Sequence, residues 1–219
     1  MSASVRTQRA DSAETRTRIL NASEQLFSER GYSGTSLRAI AEQAGVNVAS
    51  ANYHFGSKAR LLEAALQRAV GPINSERLQR LDQLQSSSQP PILADIVRAF
   101  IEPVISKPRS EGLPRLLARV FAEPSAIAVP LLEHTFRPVA ARFLAALEQA
   151  LPGVSAEDLS WRFQFVIGAM VHMARFHELP AMFRNGDATA ADAPASQIEK
   201  LIAFAVAGLQ QSPEPDTCA

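Results

Sequence analysis

Residues 36–55 read SLRAIAEQAGVNVASANYHF, and the fold is decided by how this stretch is read. Leu37, Ile40 and Ala41 recur at helical spacing, Gly45 interrupts them, and Asn47 opens a second short run that ends at Phe55. This is the layout of a helix-turn-helix: short helix, glycine-containing turn, capped short helix. Each piece has a physical reason. Gly45 supplies a turn conformation that residues with a β-carbon disfavour. Asn47 can accept a hydrogen bond from the exposed N–H groups of a helix start, and the positive end of such a helix can approach phosphates. Leu37, Ile40, Ala44, Val46 and Phe55 face inward and hold the two helices at a fixed angle. Val48, Ala49, Ser50 and Asn52 face outward at the start of the second helix, small enough to let its backbone enter a major groove.

Outward from this motif the 3.6-residue period dominates, with no convincing alternation of the strand kind. A first helix is predicted from near Ser12 to Gly31, with the stripe Ile19, Ala22, Leu26 and Phe27. Ser57 caps a fourth helix bearing Leu61, Leu62, Ala65 and Leu66, and Gly71-Pro72 predicts a break or kink in it. A clean stripe from Ile92 to Ile105 follows, bent at Pro103, then a loop at 107–112 and a short helix at 113–122. A longer helix is predicted from around Pro130 to Pro152. Ser155 and Asp158 form a capping box for a helix reaching about Glu178, and a last helix covers about Pro194 to Gln210 after a small-residue loop at 186–193. The helix at 155–178 is apolar almost all round, through Trp161, Phe163, Phe165, Val166 and Met170, and so must be buried on two sides. The fold class is all-α, about nine helices.

Composition narrows the function. Lys+Arg and Asp+Glu both number 22 in 219 residues, so the whole chain is not built for a polyanion. The charge is uneven, however: residues 1–70 hold nine basic and six acidic groups, and residues 71–219 hold thirteen and sixteen. A basic front and an acidic back fit nucleic-acid binding by the front alone. Cys218 is the single cysteine, which excludes an internal disulfide framework and a multi-cysteine zinc site. His134, His172 and His177 lack metal-pair spacing, so neither metal nor cofactor is expected. No apolar run approaches ~18 residues and the first ten residues have no apolar core, so membrane span and secretory signal are not expected, and the location read is cytoplasmic. A Gly-rich phosphate loop and a recognisable Ser/His/Asp set are missing, so the chain does not read as an enzyme.

Residues about 13–72 resemble the DNA-binding domain of the TetR family of bacterial transcriptional regulators. The matching stretches are Ile19 to Tyr32 (ILNASEQLFSERGY), Thr35 to Ala41 (TSLRAIA), Ala44 to Asn47 (AGVN) and Tyr53 to Lys58 (YHFGSK). Residues 13–72 make up about a quarter of the chain; the remainder resembles the family only in being helical and of suitable length. The resemblance implies a flexible arm at 1–10, a DNA-binding domain at 11–72, a helical effector-binding and dimerisation domain at 73–211, and a flexible tail at 212–219. It implies that Arg38 reaches a guanine edge and that Ser36, Asn47, Val48, Ala49, Ser50 and Asn52 meet bases or nearby backbone. Tyr53, His54 and Lys58 match positions that hold phosphates. Ala51-Asn52 departs from the family's usual Leu-Tyr, removing core volume and adding an amide that can read adenine. The partners implied are a palindromic double-stranded operator and a second copy, paired through helices at about 155–178 and 194–210.

Bland readings stand beside these. Arg38 also fits a solvated helix surface, Tyr53 and His54 also fit packing between helices, and Arg6 and Arg9 also fit a solvated arm. A lysine in a first turn opposes the helix dipole, so Lys58 suggests an external anion. The stretches VN…NYHFGSK, Gly71-Pro72 and Lys107 to Ser110 (KPRS) resemble the subgroup that contains fatty-acid-responsive regulators. That implies a small hydrophobic effector with a polar or carboxylate end, a fatty acid or acyl thioester. Arg119, His134 and His172 are candidates for its polar end, with Phe121, Trp161 and Phe165 beside its apolar part. The alternatives for those residues are surface arginine for Arg119, core for His172, and core for Phe121, Trp161 and Phe165. A repressor released by its effector is the leading reading; a helical protein-binding adaptor and a helical-bundle enzyme are the alternatives.

Overall fold

The computed structural model describes residues 3–106, 112–176 and 194–211, and the side chains within 11–106, 115–176 and 195–211. The expected loops at 107–111 and 186–193, the tail at 212–219, His177, Cys218 and the side chains of Arg6 and Arg9 lie outside these. The described residues form nine α-helices and no strand. In chain order they are α1 (Ala3–Arg30), α2 (Leu37–Gln43), α3 (Val48–Phe55), α4 (Lys58–Gln85), α5 (Leu93–Ile105), α6 (Gly112–Ala122), α7 (Ser125–Ala150), α8 (Ala156–Phe176) and α9 (Pro194–Gln210). The chain divides into two compact units. The first is Met1–Pro72 with Arg109–Phe136, and the second is Ile73–Pro108 with Arg137–Ala219.

In the first unit α1 packs on α2, α3 and α6. Its stripe is buried as expected: Ile19 and Phe27 are fully covered, and Leu26 and Ala22 nearly so. Helix α1 starts at Ala3 rather than near Ser12. Residues 3–11 contain neither glycine nor proline, and their Ala, Arg and Gln favour helix, so nothing stops the helix from extending past the capping signal. Its end is sharp, because Gly31 takes φ +73° and donates its N–H to Phe27 O at 3.0 Å.

Helix α4 runs across Gly71-Pro72 without ending, so of the break or kink that the sequence predicts the break is absent. Proline forfeits one N–H bond and crowds one carbonyl, and the flanking turns carry the helix on. Helix α7 likewise starts before Pro130, because the amides of Ile127 and Ala128 bond to Pro124 O at 2.8 and 3.0 Å.

In the second unit α5 packs on α8 and α9, and α8 packs on α9. Ile96, Ile101, Phe143, Leu147, Leu159 and Leu209 are covered almost completely. The ring of Phe100 lies 5.0 Å from that of Phe143 and 4.8 Å from that of Phe163. Arg77 is buried here too, its guanidinium 3.9 Å above the Phe100 ring and its Nε donating to Phe100 O at 2.8 Å. Aliphatic stem and stacked plane let a cation share an apolar core. The capping box of α8 forms, with Asp158 N donating to Ser155 Oγ at 3.0 Å. The expectation that Trp161, Phe165 and Phe121 belong to the core fails: they are 60%, 65% and 51% exposed in the single chain. Helical period marks an apolar face, and it is silent about what covers that face.

Candidate nucleic-acid interface

Helix α2 begins where Ser36 stops being extended: its Oγ accepts from Ala39 N at 3.1 Å. Thr35, buried, donates its hydroxyl to Gly31 O at 2.7 Å and so ties the preceding turn to the end of α1. The turn between α2 and α3 uses Gly45 at φ +65°, with Val46 N returning to Ala41 O at 2.9 Å. Asn47 caps α3 through Oδ1, which accepts from Ser50 N at 2.7 Å.

A residue that spacing could not reveal holds this turn. Arg18 on α1 donates through Nη2 to Ala44 O at 2.5 Å and to Gly45 O at 2.9 Å. These carbonyls lie at the negative end of α2, where a cation is favoured. A β-carbon on Gly45 would stand 2.6 Å from that nitrogen. Gly45→Ala is therefore expected to cost about 1–2 kcal/mol for the left-handed backbone alone, with a further loss from displacing Arg18. A urea titration showing no loss of stability would reject this account of the turn.

The face expected to be outward is outward. Arg38, Val48, Ala49, Asn52 and Tyr53 are exposed, Tyr53 at 84%, and Ser50 is half-buried. Opposite them Ile40, Ala51 and Phe55 are buried, so the small Ala51 sits in packing rather than on the surface. Tyr53 and His54 meet edge to face with ring centres 5.4 Å apart. Both polar tips thus belong to a compact aromatic pair on one end of α3.

Lys58 opens α4 and is half-buried. Its Nζ donates to Tyr32 O and Thr35 O, both at 2.9 Å, and lies 4.0 Å from the Tyr32 ring centre. The cation that opposes the helix dipole thus has partners inside the protein, and one of its three N–H groups remains beyond these two bonds.

The six effector candidates divide between the two units, three in each. In the first unit, Arg119 is exposed and donates to Glu29 O at 2.8 Å, Phe121 is exposed, and His134 Nε2 lies 2.9 Å from Glu63 Oε1. In the second unit, Trp161 and Phe165 pair with ring centres 6.2 Å apart, and His172, exposed rather than in the core, lies 5.1 Å from Phe176. Among the described residues no group of three or more His, Cys, Asp or Glu could hold a metal ion. No helix among them is long and apolar enough to cross a membrane.

Comparison with known proteins matches two segments of the chain. Residues 19–65 match the family described as bacterial regulatory proteins, tetR family, and residues 98–208 match a tetracyclin repressor-like C-terminal domain. The HTH-type transcriptional regulator TtgR of Pseudomonas putida is 42% identical over 62 residues, 28% of this chain and 30% of that protein. The probable HTH-type transcriptional regulator YttP of Bacillus subtilis is 45% identical over 49 residues, 22% of this chain and 24% of its own length. These matches thus span 24% and 30% of the length of the curated relatives. The crystal structure of NalD, secondary repressor of the MexAB-OprM multidrug efflux pump in Pseudomonas aeruginosa, superposes with TM-score 0.64 at 26% identity. That superposition covers 90% of this chain and 97% of NalD. A TetR family regulator from Thermus thermophilus, PfmR, shares the fold at TM-score 0.56 and 18% identity. With residues 19–65 and residues 98–208 each matched by a model of this family, the chain belongs to the TetR family of bacterial regulatory proteins.

Proposed function

We propose that this protein is a sequence-specific DNA-binding transcriptional regulator, a cytoplasmic repressor that works as a homodimer on a palindromic operator. The observation that carries the reading is the capped α3: Arg38, Val48, Ala49 and Asn52 stand exposed on a motif whose opposite side is buried. The relatives' names, regulator and repressor, support it. In this reading residues 11–72 form the head. Arg38, Ser50 and Asn52 meet base edges, Ser36, Asn47, Val48 and Ala49 meet bases or nearby backbone, and Tyr53, His54 and Lys58 meet phosphates. Residues 73–211 hold the effector and pair the two copies.

The effector we assign is a small hydrophobic molecule with a polar end. A fatty acid or acyl thioester is one class, supported by the motif resemblance; aromatic compounds are another, and the substrates of a multidrug efflux pump a third, supported by the pump that NalD represses. Any of them must bind the DNA-free arrangement more tightly than the DNA-bound one to release the operator. A thermal-shift screen of all three classes, followed by operator titration with each hit, separates them.

The DNA reading is tested by selecting bound duplexes from a random library with the wild-type protein. Arg38→Ala is expected to cost about 1–3 kcal/mol and to relax preference at one operator position. Lys58→Ala is expected to weaken all sequences alike and to flatten the salt dependence by about 1. Equal behaviour of the two variants across operator mutants would sink this division of roles. Failure of the wild type to enrich any sequence would sink the regulator reading itself.

A further inference from the structure

The turn between α1 and α2 is fastened from two sides by opposite charges. From one side comes Glu123, in the joint between α6 and α7. Its Oε1 accepts from Tyr32 N at 2.8 Å and from Ser33 N at 3.3 Å, and its Oε2 accepts from Ser33 Oγ at 2.7 Å. From the other side comes Lys58, which takes the carbonyls of Tyr32 and Thr35. An anion holds the turn's N–H groups and a cation holds its C=O groups, so each side chain fixes the platform on which the other rests. The fit is close, since a β-carbon on Gly31 would stand 2.8 Å from Glu123 Oε1. One turn back on α6, Arg119 donates to Glu29 O and ties a carbonyl in the last turn of α1 to the same helix.

We infer that Glu123 is a positioning residue for operator binding: it anchors the 32–35 turn, and the turn in turn places the Lys58 ammonium at the foot of α3. The inference rests on the reading of Lys58 as a phosphate contact. Lys58 follows α3 with only Gly56 and Ser57 between, so an ammonium displaced by an ångström is displaced relative to the recognition helix. Burial opposes charge on Glu123, yet the Ser33 and Tyr32 hydrogen bonds and the Lys58 charge outweigh it, and its carboxyl titrates below the ordinary range. It is therefore an anion at neutral pH, the state in which both oxygens accept. Without Glu123 two backbone N–H groups turn to water, and the carbonyl cradle of Lys58 is free to shift.

The test is operator binding by the full-length protein over a salt series, using the duplex selected by the wild type. Glu123→Ala and Lys58→Ala are each expected to weaken binding on the order of tenfold, the loss of one charge-assisted contact. Each is expected to flatten the slope of log K against log salt by about 0.9, the share of one phosphate. The double variant is expected to be no weaker than either single one, because the two act through one contact. Glu123→Gln keeps an acceptor for the turn and is expected to restore the wild-type slope. Should Glu123→Ala not fold by thermal melt, Glu123→Asp, one methylene short of the turn, is expected to show the flattened slope. An unchanged slope in the Ala or Asp variant overturns the inference, as do losses that multiply in the double variant. So does a Gln variant as deficient as Ala. A wild type that binds no duplex overturns the regulator reading beneath it, a result distinct from these.

Discussion

Glutamates at Trp161 and Phe165 together are expected to leave a folded monomer that no longer holds a palindrome. The two rings are 60% and 65% exposed in the single chain, and Phe204 on α9 is 66% exposed. Around them the surface is small: Gly168, Ala207 and Gly208 are exposed, and a β-carbon on either glycine would meet nothing within 4 Å. Large rings beside bare backbone let helices approach closely, as in the four-helix contact proposed for α8 and α9 of two copies. Each aromatic side chain can bury ~150–250 Å², so a few per subunit make a patch larger than soluble monomers usually expose. In a two-fold interface every substitution counts twice, so the double variant places four charges in one contact. Sedimentation equilibrium at micromolar concentration is expected to move from two chains to one. Operator affinity is expected to fall by about 10²–10⁴-fold, the gain that linking two half-site contacts provides. Ala205, on α9 beside Phe204, is the wrong place for this test. It is 1% exposed within its own chain, so a glutamate there attacks the core. A wild-type mass of one chain with intact operator binding would reject the dimer, and a variant that remains dimeric would reject this face.

What the sequence made legible is short-range. Ser36, Asn47 and Ser155 cap helices because each bonds an amide three residues on, and such a signal is contained within four residues. Gly31 and Gly45 mark turns because their positive φ is a local property. The α5 stripe Leu93, Ile96, Val97, Phe100 and Ile101 is buried because period alone determines which residues share a face. The outward positions Val48, Ala49 and Asn52 follow from the same logic, while Ser50, expected beside them, is half-buried. What failed was long-range or permissive. Helix α1 began early and α4 and α7 carried their prolines because breaking signals compete with the cooperativity of the turns around them. Arg18 reaches Ala44 across 26 positions, and Glu123 reaches Tyr32 across 91, which no spacing rule covers. That Lys58 also has partners inside the protein was not legible, because Tyr32 and Thr35 are equally remote in sequence. The apolar faces of α8 were both visible, but their assignment, one to this chain's core and the other outward, was not.

That two-faced helix makes the second large effect distinct from the first. Phe143→Ala is expected to destabilise the second unit by about 3–5 kcal/mol, the usual cost of emptying a buried aromatic site. Phe143 is fully covered, and its ring meets Phe100 at 64°, the edge-to-face arrangement that adds to simple burial. Phe100 in turn touches Phe163 on the inner face of α8 and carries the Arg77 guanidinium above its ring. Removing Phe143 therefore undercuts three elements: α5 through Phe100, α8 through Phe163, and the seat of a buried cation on α4. Whole domains are stable by only ~5–15 kcal/mol, so this single change takes a large share. Phe143→Leu, which keeps most of the volume, is expected to cost well under half as much. Urea titration by tryptophan fluorescence checks both, since Trp161 is the single tryptophan and sits on α8. The order of losses separates the two faces. Phe143→Ala should lower the urea midpoint while the dimer persists at low denaturant, whereas the Trp161/Phe165 variant, followed by circular dichroism, should lose the dimer while its helices persist. A Phe143→Ala midpoint equal to that of the wild type would mean that the Phe100 cluster does not hold the second unit together.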